Sequence, residues 1–189
     1  MTGPANGRPA VFLDRDGVLN RSIVRDGRPF PPLSVEQFVL YPEVPDACRR
    51  LHSLGYSLVV VTNQPDMARG GLDAAELAAI HDELRRQVLL DGVYVCPHDD
   101  ADGCGCRKPA PGLLVEATAD LGLDLGRSVM VGDRWRDVEA GQRAGCRTVH
   151  IDRGYCERRP DAPDVVAADL AEAVRWIEEV VVGKGVAGG

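Results

Sequence analysis

The segment Val11-Phe12-Leu13-Asp14-Arg15-Asp16-Gly17-Val18-Leu19-Asn20 constrains the fold of this chain more than any other. It starts as a short apolar run of the kind that forms a strand buried on both faces. It ends in two carboxylates separated by a single residue and followed by a glycine. Two acids at i and i+2 repel each other and gain nothing from a core. A positive partner, most simply a divalent cation, is therefore expected to hold them together at the strand's end. An acidic turn of Asp-Gly type is the other reading open to this stretch taken alone.

Strand-like and helix-like patterns alternate through the rest of the chain. Val44, Ala47, Cys48 and Leu51 recur at helical spacing before Gly55, and residues 57–62 read as a buried β-branched strand. Asp73 followed by Glu76 resembles a capping box ahead of the stripe Leu77, Ile80, Leu84 and Val88, which predicts a helix over about residues 73–87. Residues 92–96 form a further apolar run, and Pro111 opens a helix carrying Leu114, Ala117 and Leu121. A strand over 128–131, ended by Gly132-Asp133, precedes a helix near 137–144 and strands at 147–151 and 165–167. A last helix, capped by Asp169, carries Leu170, Ala173, Val174, Ile177 and Val181 on one face. Such regular alternation predicts an α/β fold, a Rossmann-like, doubly wound parallel sheet with helices on both faces. Residues 10–182 are expected to form a single domain, with 1–9 and 183–189 as flexible tails. Residues 21–35, holding Pro29, Pro31 and Pro32 with Gly27 and mixed charges, read as a loop or lid, and no large cap domain is evident.

A chain of 189 residues, 44% hydrophobic and 27% charged, has ordinary soluble globular composition. Its net charge of -7 disfavours nonspecific binding to nucleic acid or an anionic membrane, while leaving room for a local basic pocket. No apolar run reaches the roughly 18 residues of a membrane span, and the opening residues lack a signal peptide's apolar region. A cytoplasmic monomer is expected, with neither nucleic acid nor membrane as partner. Of six cysteines, Cys96, Cys104 and Cys106 crowd together with His98 among them. Three thiolates and one imidazole in a single loop suit a tetrahedral zinc ion, and with no open position that site should be structural. Free surface cysteines beside a chance histidine are the alternative. Cys48 and Cys146 are expected to be small buried side chains, and Asp99, Asp100 and Asp102 to be solvated within the loop.

Ligands of such sheets bind at the carboxyl ends of the strands. Three strand ends here are polar in a coordinated way: Asp14 and Asp16, then Thr62-Asn63-Gln64, then Gly132-Asp133, with Lys108 just before a helix opening. Asp14-x-Asp16-Gly-x-Leu, Thr62-Asn63-Gln64, Lys108-Pro109 and Gly132-Asp133-x-x-x-Asp137 resemble, in order, the four motifs of the haloacid dehalogenase superfamily of phosphatases. The resemblance runs over about residues 11–152. It implies a magnesium ion and hydrolysis of a phosphate monoester through an aspartyl-phosphate. Asp14 is then the nucleophile, and Asp16 protonates the leaving alkoxide and later deprotonates the water. Asp133 holds Mg²⁺ with Asp14, while Asp16 reaches the ion through its backbone carbonyl. Thr62 and Asn63 donate to phosphoryl oxygens, and Lys108 neutralises charge as the phosphoryl group transfers. Asp137 is expected to orient neighbours or cap its helix rather than to bind metal.

The cysteine loop resembles that of one subgroup, the D-glycero-D-manno-heptose 1,7-bisphosphate phosphatases and the related histidinol-phosphate phosphatases. Cys106-Arg107-Lys108-Pro109-x-Pro111-Gly112, Ala68-Arg69-Gly70 and Arg134 resemble the heptose enzymes, which implies Arg69, Arg107 and Arg134 in substrate binding. Pro65-Asp66 and residues 22–28 depart from that pattern. Arg25, Arg28, Arg69, Arg107 and Arg134 are candidates for holding a distal phosphate. The expected function is an Mg²⁺-dependent phosphomonoesterase with structural zinc, acting on a small sugar phosphate, first of all the heptose bisphosphate. Histidinol phosphate or a nucleic acid 3'-phosphate are alternative substrates, and an inert binding scaffold is the non-enzymatic alternative.

Overall fold

Ala10 to Leu13 form β1, the central strand of the computed structural model, and none of the four is accessible to solvent. The structure describes residues 7–186, with side chains as far as residue 180. A hairpin of β2 (Ile23–Arg25) and β3 (Arg28–Phe30) follows β1, then α1 (Val44–Ser53), β4 (Ser57–Asn63), α2 (Ala74–Gln87) and β5 (Gly92–Cys96). The second half runs α3 (Gly112–Leu121), β6 (Val129–Gly132), α4 (Trp135–Ala144), β7 (Arg147–Ile151), β8 (Val165–Ala167) and α5 (Leu170–Val186). All strands outside the hairpin join one parallel sheet in the order β5-β4-β1-β6-β7-β8.

Side chains alternate across a strand, so β1 feeds two cores at once. Val11 and Leu13 pack with Leu58, Val60, Val129 and Val131 against α1, α2 and α5 through Leu51, Ile80, Leu84 and Ile177. Ala10 and Phe12 pack with Val59, Val61 and Met130 on the opposite face, against Leu113, Leu114 and Ala117 of α3 and Ala140 of α4. Burying each large apolar side chain contributes about 1.5–3 kcal/mol, and a strand buried on both faces collects this at every position. This is the doubly wound sheet that the alternating pattern predicts.

The topology places the site. From β1 the chain moves outward to β4 and β5, then returns to the other side of β1 with β6, β7 and β8, so the winding reverses beside β1. Leu13 is in register with both Val60 and Val131, and Asp14 N donates to Val131 O at 3.0 Å, which brings the ends of β1, β4 and β6 level. Ligand crevices of open parallel sheets form at this reversal, beyond the carboxyl ends.

Some details differ from expectation. The supposed loop at 21–35 contains the β2–β3 hairpin, with Ile23 opposite Phe30 and a turn made by Asp26 and Gly27, both at positive φ. Strands of three residues, one holding Pro29, carry too little periodicity to be legible in sequence. Asp73 caps α2 by accepting from Glu76 N at 2.7 Å, but Glu76 does not reach back; its carboxylate accepts from Val35 N at 2.9 Å and ties the lid region to α2. Of the expected N-terminal tail, residues 1–6 lie outside the described residues, while Arg8 and Pro9 are held by backbone bonds to Gly122, Asp124 and Ser57. Helix α5 continues through Val186, past the expected start of the C-terminal tail at 183, and residues 187–189 lie outside the described residues. No helix among the described residues is long and apolar enough to cross a membrane.

Candidate active site

Asp14 is the first residue past β1, and Lys108 reaches it from the segment before α3. Lys108 Nζ donates to Asp14 Oδ1 at 2.8 Å, to Val61 O at 2.7 Å and to Asp137 Oδ1 at 2.6 Å, which engages all three of its protons. Burial opposes the charge of this ammonium, but Asp137 and Asp14 prevail and hold its pKa above the ordinary lysine value. Burial pushes Asp14 up to about 7 against the pull of Lys108, and the nearby Asp137 and Asp16 add to the rise. Asn63 fixes the lysine's backbone reciprocally: its amide donates to Lys108 O at 3.0 Å and its oxygen accepts from Lys108 N at 3.1 Å.

Asp133, the first residue after β6, faces Asp14. Both of its carboxylate oxygens are buried without a hydrogen-bond partner. Burial, then Asp14 and Asp137, raises its pKa well above the usual carboxylate range. Oxygens of Asp14, Asp133 and Asp137 all lie within 4.8 Å of one another. Three buried acids with one ammonium among them leave uncompensated negative charge, and an orphaned carboxylate is costly unless a cation takes it up. An all-oxygen donor set of this kind fits Mg²⁺. Asp137 is already committed, since its other oxygen accepts from Arg134 N at 3.0 Å and caps α4.

Asp16 sits in a cage of donors. Arg15 Nε and Nη2 reach its two oxygens at 3.1 and 3.0 Å, Asn20 Nδ2 donates at 2.9 Å and Gln64 Nε2 at 2.8 Å. Arg15 is itself fully buried, and its Nη1 lies 3.1 Å from Nε2 of His81 on α2. A guanidinium can only donate, so His81 Nε2 must accept and the ring is neutral. Burial first, then Arg15, pushes the His81 pKa down to about 4. Nothing in the sequence pattern marks His81, which looks like one more position of an amphipathic helix. Arg15 carries a signal, since it stands between two acids at a buried strand's end.

A cavity of about 310 Å³ opens above these groups, lined by Asp14, Asp16, Asn63, Lys108 and Asp133 at one end. Thr62 is buried and not part of that lining, and its Oγ1 accepts from Gln64 Nε2 at 2.9 Å. Around the rim stand Arg28, Arg69, Arg107 and Arg134 with the hairpin residues Pro29 and Phe30. Arg25, grouped with them from sequence, is not in the lining and packs instead over the Phe30 ring. Arg136 is in the lining although the sequence did not single it out. Nor are the acids of the cysteine loop merely solvated. Asp99 accepts from Arg69 Nε and Nη2 at 2.7 and 2.8 Å, and Asp100 accepts from both Arg107 and Arg136. Arg69, followed by the Asp100 backbone, holds the Asp99 carboxyl down to about 2. Arg134 pairs with Glu157 across the rim.

Beside the cavity, Cys96 ends β5 and meets His98, Cys104 and Cys106. Sulfur–sulfur separations are 3.1, 3.4 and 3.6 Å, and His98 Nδ1 lies 3.3 Å from Cys106 and 3.6 Å from Cys96. These sulfurs are too far apart for a disulfide of about 2.05 Å and approach the edges of a tetrahedron with Zn–S bonds of about 2.3 Å. The donor set therefore fits a four-coordinate zinc ion.

Comparison with known proteins agrees with this geometry. The profile of the HAD-hydrolase-like family matches residues 105–173. The chain is 37% identical to the D-glycero-D-manno-heptose-1,7-bisphosphate 7-phosphatase of Thermosynechococcus vestitus, over 90% of this chain and 95% of that protein. It is 35% identical to the D-glycero-beta-D-manno-heptose-1,7-bisphosphate 7-phosphatase of Escherichia coli K12, over 88% of this chain and 94% of that one. The crystal structure of D,D-heptose 1,7-bisphosphate phosphatase from B. bronchiseptica, complexed with magnesium and phosphate, superposes with a TM-score of 0.78 at 32% identity, covering 90% of this chain and 98% of that one. With similarity of that extent along nearly the whole fold, the chain is a phosphoric monoester hydrolase of the haloacid dehalogenase type and belongs to the family of the D-glycero-D-manno-heptose-1,7-bisphosphate 7-phosphatases.

Proposed function

We propose that the chain removes the 7-phosphate of D-glycero-D-manno-heptose 1,7-bisphosphate through an aspartyl-phosphate on Asp14. The observation that carries this is the cavity lined both by a buried acid and lysine and by several arginines. Such a cavity suits a small molecule with more than one anionic group.

Asp14 is the nucleophile, and Lys108, locked between it and Asp137, neutralises the transferring phosphoryl group. Asp14, Asp133 and the backbone carbonyl of Asp16 would hold Mg²⁺, which when bound supplies the charge that lets a carboxylate approach a phosphate. Asp16, oriented by Arg15, Asn20 and Gln64, donates a proton to the leaving sugar oxygen and then takes one from the water that attacks the acyl phosphate. Thr62 and Asn63 support the phosphoryl end, Thr62 through Gln64 and Asn63 through the Lys108 backbone. Arg69, Arg107 and Arg134 face the far end of the substrate. Cys96, His98, Cys104 and Cys106 would bind a structural zinc ion that fixes the loop carrying Arg107 and Lys108.

Phosphate release measured side by side on the heptose bisphosphate, the heptose 7-phosphate, histidinol phosphate and a 3'-phosphorylated oligonucleotide tests the assignment. The bisphosphate should have the highest kcat/KM. A preference for histidinol phosphate would overturn the substrate and keep the reaction.

A further inference from the structure

Among the rim cations, Arg107 and Arg136 share a partner. Asp100 Oδ1 accepts from Arg107 Nε at 2.8 Å and from Arg136 Nη1 at 3.0 Å, and Oδ2 lies 3.3 Å from Arg136 Nη2. Each guanidinium is also anchored elsewhere. Arg107 Nη1 donates to His98 O at 3.2 Å, inside the cysteine loop. Arg136 lies over the Trp135 ring, 4.8 Å from its centroid, with Nη1 3.5 Å from Lys108 O. The side chains of Arg107 and Arg136 are 12% and 24% exposed, whereas that of Asp100 is 57% exposed. Two well-anchored guanidiniums thus converge on one carboxylate that stands largely in solvent.

A carboxylate bridging two guanidiniums occupies the place that a phosphate dianion would take with more charge and more acceptor oxygens. All three residues line the cavity. We infer that Asp100 is a displaceable internal anion, and that Arg107 and Arg136 exchange it for the second phosphate of the substrate. Arg136 is then a phosphate ligand, and Asp100 is a competitor that the second phosphate must displace. A monophosphate bearing a neutral hydroxyl there leaves the Asp100 bridge in place and gains nothing from the two arginines. Lys108 links the two ends, since its ammonium meets Asp14 while its carbonyl lies beside Arg136. The inference rests on the reading of the substrate as a sugar bisphosphate.

The test uses the full chain loaded with zinc and magnesium, and compares kcat/KM for the heptose bisphosphate with that for the heptose 7-phosphate. Asp100→Asn should raise the bisphosphate-to-monophosphate ratio by about three-fold, the scale of one exposed ion pair. Arg136→Ala should lower it by about ten-fold or more, the scale of a lost charge-assisted contact. The opposite signs separate exchange from scaffolding. If Asp100 only held the arginines in place, its loss would lower the ratio as the arginine variant does. A ratio that falls or stays level in Asp100→Asn overturns the inference, as does a level ratio in Arg136→Ala. If neither heptose compound is turned over, the proposed substrate fails. The same ratio is then read with fructose 1,6-bisphosphate and fructose 6-phosphate as competitors of p-nitrophenyl phosphate. Equal inhibition by the two in the wild type would overturn the exchange itself.

Discussion

A Cβ atom on Gly17 would lie 1.7 Å from Asp133 Oδ2. The loop that follows Asp14 therefore closes directly over the carboxylate at the end of β6, and Gly17 does so at a φ of +86°. Gly17→Ala should displace Asp133 and place alanine in a left-handed conformation, costing about 1–3 kcal/mol of stability. The magnesium concentration for half-maximal activity should rise by about ten-fold or more, as when a ligand's supporting contacts are lost. A magnesium titration beside a thermal melt checks both. An unchanged magnesium requirement would mean that Asp133 does not hold the ion.

Asp14→Asn should abolish turnover, by about 10⁴-fold or more, because an amide does not attack phosphorus. The Asn oxygen can still accept from Lys108, and one member of the buried acid cluster becomes neutral. Without magnesium this variant should melt at or above the wild-type temperature. A folded Asp14→Asn protein with normal turnover would end the nucleophilic mechanism.

Asp16→Asn should slow sugar phosphates far more than p-nitrophenyl phosphate, whose leaving group departs without a proton. General acid catalysis is worth about 10²–10⁴-fold. Equal losses on both substrates would make Asp16 a structural partner of Arg15 and Gln64 instead.

His81 offers a test in pH. Its folded pKa, about 4, lies below the unfolded value of 6.5, so the neutral ring stabilises the fold above pH 6.5 and that stability is lost as pH falls towards 4. The loss amounts to at most about 3 kcal/mol. His81→Gln keeps a neutral acceptor for Arg15 and cannot be protonated, so its stability should fall less than that of the wild type between those pH values. Denaturant melts at several pH values measure the difference. Parallel curves would show that the His81 ring does not titrate with unfolding.

Removing zinc with a chelator and restoring only magnesium should lower activity strongly while circular dichroism shows the sheet and helices intact. The loop from Pro97 to Cys106 contributes almost nothing to the apolar cores beyond its cysteines, so a bound metal would add the main constraint beside its ion pairs. Zinc readdition should rescue the wild type and not Cys104→Ser. A purified protein that contains no zinc, or that works equally well without it, would return these cysteines to free thiols.

The sequence by itself determined the sheet, since the runs at Val11, Leu58 and Val129 can be satisfied only by burial on both faces, and it singled out the polar strand ends that the fold then brings level. It also made the cysteine loop visible, because thiols and an imidazole crowded into a few residues are a local property. Side-chain commitments between distant segments were decided only by the tertiary structure. Arg15 meets His81 across 66 positions and Lys108 meets Asp14 across 94. Asp99 and Asp100 looked solvated because two of their arginine partners lie on other elements, Arg69 after β4 and Arg136 on α4, and only Arg107 is close in sequence. Asp133 is marked in sequence as a candidate metal ligand by its motif and strand end, but not as a buried acid. Only the close approach of Gly17, Asp14 and Asp137 makes it a buried acid with both oxygens unpaired. Periodicity records where apolar surface must go, whereas charge pairing depends on distances that exist only once the strands are in register.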